Sequence, residues 1–208
     1  MTHLRFPSPA YARSSGVFAS PIRQQLKRAT ADLHRRLESG LDLLGTDLSP
    51  DRYRQTLECF FGFYAPIEAG IARVAAGSEL GLPLRARTLL IESDLLSLGL
   101  SAREVADLPR STELPRLSCR EELAGCLYVL EGACLGGRII APVLRDRLGV
   151  AEGSGASFFI GDGDGTQARW HIFLAWLEGL VDAGAQLDEL VASARATFLA
   201  FAVWVEHA

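Results

Sequence analysis

The sequence predicts an all-α protein that folds as a single-domain helical bundle of about six to eight helices. Apolar residues recur at three- and four-residue intervals along most of the chain, and helix-start signals precede several of these stretches. No run of alternating β-branched residues indicates a strand. With 208 residues, 49% of them hydrophobic, the chain is large and apolar enough to form one core.

Charge and hydropathy exclude two classes of partner. The formal net charge is −4, whereas a nucleic-acid-binding protein gains affinity from a basic face. The longest unbroken apolar run, residues 198–205, has eight residues, against about 18 for a membrane span. The four cysteines form no C-x-x-C pair, and no signal peptide is recognisable. We therefore expect no nucleic-acid partner, no membrane span, reduced thiols and a cytoplasmic location.

Residues 1–19 differ in composition from the remainder of the chain. They contain prolines and serines, and no acidic residue occurs before Asp32. An organelle transit peptide has a similar composition, but a disordered N-terminal extension is the simpler interpretation. We therefore expect residues 1–19 to lie outside the fold and residues 20–208 to form the helical domain.

The first helix is predicted to begin at Ser20-Pro21 and to end at Gly40. Its apolar stripe consists of Ile22, Leu26, Ala29, Leu33 and Leu37. The second helix opens at Ser49-Pro50-Asp51, with Pro66 as a bend or an end. A third is expected over about 84–98, and Ser101–Glu104 forms a capping box for a short fourth.

Another capping box, Ser118–Glu121, opens the predicted helix 119–148. Residues 151–165 are predicted to form a glycine-rich loop around Phe158 and Phe159, followed by helices over 166–182 and 185–206. The Gly-Asp-Gly-Asp-Gly-Thr stretch at 161–166 lacks the later ligands of a calcium loop, so a plain loop is the better interpretation.

One face of the first helix carries polar groups suited to ligand binding. Lys27, Thr30, His34 and Glu38 are separated by three, four and four residues, which places them on one side beside the apolar stripe. Glu38 can accept a hydrogen bond from one imidazole nitrogen and leave the other for a metal. Lys27 can pair with an anionic group of the same ligand. The alternative is a half-exposed histidine among ordinary surface charges.

The helix over 119–148 contains four glycines, Gly125, Gly132, Gly136 and Gly137. Each costs about 1 kcal/mol relative to alanine in a helix interior. Two explanations remain open for keeping them: close packing against another helix, or close approach of a flat ligand to bare backbone.

Together these two segments resemble a known family. Residues 27–38, KRATADLHRRLE, resemble the proximal helix of heme oxygenases, and residues 128–138, YVLEGACLGGR, resemble their glycine-bearing distal helix. The resemblance extends over about residues 20–206. It is closest to the small bacterial branch that supplies biliverdin to bacteriophytochromes.

The resemblance implies specific roles. His34 would be the metal ligand that binds heme iron, oriented by Glu38, and basic or phenolic groups would hold the heme propionates. The catalytic face would consist of Gly132, Gly136 and Arg138. The heme-binding residues would be Lys27, Thr30, Glu38, Tyr128, Gly132, Gly136, Gly137 and Arg169. One residue departs from the family pattern, since Ala133 stands where many members carry an aspartate.

The implied activity is oxidative opening of heme to biliverdin, CO and iron. It would require O2 and an external electron donor such as ferredoxin or a reductase, and a bacteriophytochrome is a further expected partner. Three alternatives remain: a heme-binding or heme-sensing protein without turnover, a thiaminase-like helical enzyme of the same fold, and a helical interaction protein.

Overall fold

The computed structural model describes residues 20–76 and 85–207, and these residues contain eight α-helices and no β-strand. The all-α prediction is confirmed. The helices are α1 (Pro21–Leu41), α2 (Pro50–Ala75), α3 (Thr88–Ser97), α4 (Ala102–Asp107), α5 (Arg120–Leu148), α6 (Ser157–Ile160), α7 (Thr166–Asp182) and α8 (Leu187–His207). A single 3-10 turn, Gly163–Gly165, precedes α7. The predicted N-terminal extension, residues 1–19, lies outside the described residues, as does position 84.

Most of the helix-start signals identified in the sequence form N-terminal caps in the structure. The Ser20 hydroxyl accepts from the Arg23 amide at 3.3 Å, and the Ser49 hydroxyl caps α2 in the same way. At α4 the capping box is complete, because the Glu104 amide donates to Ser101 and the Ser101 amide donates back to the Glu104 carboxylate. Side-chain oxygens thus satisfy amides that a helix leaves unpaired at its start.

Helix α2 continues through Pro66, so of the two predicted alternatives, a bend or an end, the end is excluded. Three local predictions are wrong. The capping box at Ser118–Glu121 does not form, because the Ser118 amide donates to Glu122 at 2.5 Å and α5 begins one residue later. Residues 151–165 are more ordered than a loop, since they contain α6 and the 3-10 turn. Helix α3 begins at Thr88 instead of near residue 84.

The late start of α3 has a visible cause. The amides of Arg87 and Thr88 both donate to the Glu68 carboxylate of α2, at 2.7 and 3.0 Å. A carboxylate from a neighbouring helix therefore caps α3, which sequence spacing within α3 itself does not reveal.

Helix α8 lies at the centre of the fold, with α1 and α5 both packed against it. Aromatic rings fill the space between α8 and α2: Phe201 stacks on Phe63 with ring centroids 4.2 Å apart, and Phe60 meets Phe201 edge-on. Helix α6 adds Phe158 to the same cluster, with its ring 5.4 Å from that of Phe60. Because α1 and α5 both pack on α8, their relative position follows from how each of them packs on that helix.

Two glycines let α5 touch its neighbours backbone to backbone. A Cβ at Gly125 would collide with the Leu190 carbonyl and lie 2.7 Å from the Ala194 amide nitrogen, both on α8. A Cβ at Gly137 would collide with the Phe159 carbonyl of α6. At these two positions the packing explanation for glycine is sufficient.

The buried carboxylate of Asp94 anchors α6. Its two oxygens accept from the amides of Ser157 and Phe158, each at 2.8 Å. Burial raises the pKa of Asp94 against the opposing effect of these two donors. Since Phe159 of the same helix contacts Gly137, Asp94 indirectly supports the middle of α5.

Helix α5 is the one described helix that is long and apolar enough to cross a membrane by length and composition. Core helices of soluble proteins pass the same test, so this is weak support for a span.

The glycine contacts predict opposite effects within one helix. We expect Gly125→Ala to destabilise the protein by about 1–3 kcal/mol, because the new methyl group overlaps the α8 backbone. The matched variant Gly136→Ala is expected to stabilise it by up to about 1 kcal/mol, since the nearest atom to its Cβ lies 3.9 Å away. Denaturant unfolding measures both; equal effects would contradict the packing assignment.

The Asp94 anchor predicts that Asp94→Asn lowers the free energy of unfolding by about 1–3 kcal/mol. An amide has one acceptor oxygen, so one buried backbone donor loses its partner. The exposed Asp146, which pairs with neighbouring Arg145, provides the control, and Asp146→Asn should change stability by less than about 0.5 kcal/mol. A similar small change for Asp94→Asn would show that α6 is held by its aromatic contacts alone.

Candidate functional site

His34 lies on α1 with one nitrogen already engaged. Its Nδ1 is 3.2 Å from the Glu38 carboxylate, and the ring meets Phe198 of α8 edge-on at 5.5 Å. The His34 side chain is 53% exposed. Among the described residues Nε2 has no hydrogen-bond partner. A carboxylate on Nδ1 and an accessible Nε2 are the arrangement that metal-binding histidines use.

The two other polar positions on this face of α1 differ in accessibility. Lys27 is exposed, and within the described parts of the chain it forms no ion pair. Thr30 is buried and donates its hydroxyl to the Leu26 carbonyl at 2.8 Å. Lys27 can therefore reach an anionic ligand without breaking an existing pair, whereas Thr30 supports the helix and its surroundings.

Tyr128 of α5 lies between α1 and α7. Its ring packs against Trp170 with centroids 5.7 Å apart, and only 9% of the residue is exposed. Burial raises the pKa of Tyr128, while the adjacent Thr30 hydroxyl opposes that shift. The face of α1 that carries His34 therefore contacts α5 through Thr30 and Tyr128.

The remaining two glycines of α5 are not explained by packing. A Cβ at Gly132 would lie 3.7 Å from the Trp170 ring, and one at Gly136 would lie 3.9 Å from Ile140, both ordinary van der Waals distances. Both glycines are half-buried, and Ala133 between them is exposed. Alanine would fit at either position and favour the helix. The lack of a side chain at these two positions therefore suits a ligand that packs against the helix backbone.

The two arginines predicted for this site already have partners. Arg138 is exposed and donates to the Gln167 side chain of α7 at 3.2 Å. Arg169 of α7 donates from Nε and Nη2 to the two oxygens of Glu131, at 2.9 and 2.7 Å. This hydrogen bond raises the pKa of Arg169. Arg169 is thus paired with Glu131 within the protein, and its contact with heme stays a prediction of the family resemblance.

Sequence reasoning missed the acidic partners behind α5. Glu131 directly precedes Gly132 and is 8% exposed, and Asp162 approaches Arg169 at 3.7 Å. Asp162 also pairs with Arg85 and with Arg87, the latter at 3.1 Å. The sequence did offer a signal for Glu131, because a glutamate on the apolar side of a helix requires a buried partner. It offered none for Asp162, which lies in the stretch predicted to be a plain loop.

The residues present fit a flat, anionic, iron-containing ligand. α1 supplies an imidazole whose second nitrogen is held by a carboxylate, and an exposed ammonium lies two turns earlier. α5 supplies two half-buried glycines with space above them. A neutral imidazole nitrogen is a common axial ligand for heme iron.

Comparison with known proteins also points to a heme-binding family. The sequence model of the heme oxygenase family matches residues 20–207. A protein of Xanthomonas campestris pv. campestris (strain 8004) named heme oxygenase is 34% identical over 122 residues, which cover 58% of this chain and 68% of that protein. The family model's match includes both α1 and α5, which carry the histidine and the glycines. The chain belongs to the heme oxygenase family.

Proposed function

We propose that the protein is an active heme oxygenase that opens heme to biliverdin, CO and iron, using O2 and electrons from an external donor such as ferredoxin or a reductase. The observation that carries this proposal is the pair of His34 and Glu38 at 3.2 Å on α1. Family membership makes heme the ligand to which this pair corresponds.

On the α1 side, Glu38 accepts a hydrogen bond from the Nδ1–H of His34 and thereby favours the tautomer whose Nε2 is unprotonated. The lone pair of Nε2 would then be available to bind the heme iron. The Phe198 ring against the imidazole edge limits its rotation. Heme supplies the iron that activates O2 and is itself the ring that is oxidised.

On the α5 side, the main chain at Gly132 and Gly136 would lie against the bound ring. The absence of side chains there would allow the backbone to approach the ring closely. Ala133 offers no acid, so ordered water would have to deliver protons on this side. Arg138, exposed on the same helix, is the nearest cation that follows the glycines in sequence.

Lys27 is the cation that shares the face of His34 on α1, two turns earlier, and it is exposed. It could therefore pair with a propionate of a heme bound at His34. Tyr128, Thr30 and Gly137 are buried; we assign them to the walls that support the bound ring. Such pairing by Lys27 would restrict how the heme rotates in its site.

A heme-binding or heme-sensing protein without turnover is the second candidate. Ala133 favours it, because the family's aspartate is missing at that position. For the active enzyme, we also propose a cytoplasmic location, consistent with four free cysteines, and delivery of biliverdin to a bacteriophytochrome.

The iron-ligand assignment predicts that His34→Ala abolishes the Soret shift that the wild-type protein gives when titrated with hemin. Glu38→Gln is expected to weaken hemin binding or turnover by about 10- to 100-fold, because the imidazole loses its orienting partner. Added reductant in air should then convert the wild-type complex to biliverdin.

His207→Ala is the matched control for this titration, since His207 is also exposed and lies near the C-terminus, on α8. An unchanged Soret shift in His34→Ala would contradict the assignment. Heme binding without ring opening by the wild-type protein would favour the second candidate. No heme binding would refute both.

If Gly132 and Gly136 face the bound heme, substitutions there should slow biliverdin formation without destabilising the protein. We expect Gly132→Ala and Gly136→Ala to slow biliverdin formation by about 10- to 100-fold because each methyl group would crowd the bound heme. The free energy of unfolding should not fall, because within the protein the new methyl groups make only ordinary van der Waals contacts, at 3.7 and 3.9 Å. Gly165→Ala, whose Cβ would lie 3.7 Å from Asp162, is the control outside α5. Full turnover in both α5 variants would show that these glycines do not face the heme.

A further inference from the structure

A buried group of charges lies behind the glycine segment of α5. Arg169 holds Glu131 through two hydrogen bonds, at 2.7 and 2.9 Å, and Asp162 links Arg169 to Arg87. Glu131, Asp162 and Arg87 have side chains at most 9% exposed. Buried ion pairs of this kind are costly to break, because removing one partner leaves an uncompensated charge.

This group holds one end of the glycine segment. Glu131 immediately precedes Gly132 and is tied to α7 through Arg169. At the other end Arg138, which follows Gly137, is tied to Gln167 of the same helix by one exposed hydrogen bond. Side-chain hydrogen bonds to α7 therefore flank residues 132–137 on both sides. Of these contacts, only the Glu131–Arg169 pair is bidentate and mostly buried.

Residues 132–137 depend on such contacts because their glycine-rich backbone can adopt several conformations. Three of its six residues are glycine, and two of those lack close contacts beyond the helix. Glycine contributes no side-chain contacts, so these two positions do nothing to fix the bend or the rotation of the segment. The bidentate pair supplies a fixed geometry at the residue where the segment begins.

We propose that Glu131 and Arg169 act as positioning residues, a clamp that sets where residues 132–137 lie over the bound heme and thereby which edge of the ring is opened. The inference rests on the proposed function for its last step only. It assigns Arg169 to the clamp in place of a direct contact with a heme propionate.

The two roles of Arg169 make opposite predictions for Glu131→Gln. If Arg169 positions α5 through Glu131, then Glu131→Gln and Arg169→Gln have the same effect, and the double variant is no worse than either single one. If Arg169 binds a propionate, Glu131→Gln releases it for that contact, and only Arg169→Gln weakens hemin binding.

The first measurement is hydrogen exchange on the full chain without hemin. We expect both single variants to speed amide exchange of residues 132–137 by at least about tenfold and to leave residues 121–127 unchanged. Arg120→Gln is the matched control, because it breaks another partly buried pair of α5, Arg120 with Glu121 at 2.9 Å. It should not alter exchange at 132–137.

The second measurement uses the hemin complexes. We expect the two single variants to shift the ratio of biliverdin isomers in the same direction while the hemin Kd changes by less than about threefold. Arg120→Gln should keep the wild-type ratio. If the wild-type protein opens no heme, the proposed function fails while the exchange experiment still tests the clamp.

Either single variant leaves a buried charge and can impair folding, so Glu131→Leu with Arg169→Met removes both charges at once. This double variant should fold and still show faster exchange at 132–137. The clamp is refuted if exchange is unchanged in all three variants. It is also refuted if Arg169→Gln alone raises the hemin Kd at least tenfold and this effect disappears with heme dimethyl ester, which lacks the propionate charges.

Discussion

The close contact of α5 with its neighbours is the constraint on which the rest of the structure depends. At Gly125 the α5 backbone touches α8, and at Gly137 it touches the Phe159 carbonyl of α6. Helix α1 packs on the same α8, so the distance between the two functional helices follows from how closely each approaches that support. A methyl group at Gly125 would move α5 relative to His34 without touching the site.

This constraint divides the four glycines of α5 into two pairs. Gly125 and Gly137 are required by packing, whereas Gly132 and Gly136 have space for a methyl group in the protein alone. Each unneeded glycine costs the helix about 1 kcal/mol, so the second pair must be offset by something other than folding. Gly125 and Gly137 therefore have a structural role, whereas for Gly132 and Gly136 the proposed contact with heme supplies the explanation that packing does not.

The sequence predicted most of the fold and the α1 half of the site, because both depend on local spacing. Ser20 and Ser49 cap helices whose first turns they precede, and the four-residue interval from His34 to Glu38 brings the imidazole to the carboxylate. The capping of α3 by Glu68 and the pairing of Glu131 with Arg169 join residues 19 and 38 positions apart. No helical period encodes such contacts, so they required the tertiary structure.

The two halves of the site also differ in how their charges are held. The His34–Glu38 pair is more than half exposed, so its geometry is set by the helix and by Phe198, and solvent screens its charge. Behind α5, Glu131 and Arg169 are largely shielded from water, where the same kind of interaction is stronger and more costly to break. The imidazole is thus held by contacts that water can reach, whereas the start of the glycine segment is held by a pair that water largely cannot reach. For the proposed binding of heme between α1 and α5, this difference means that the α5 side is the more costly of the two to displace.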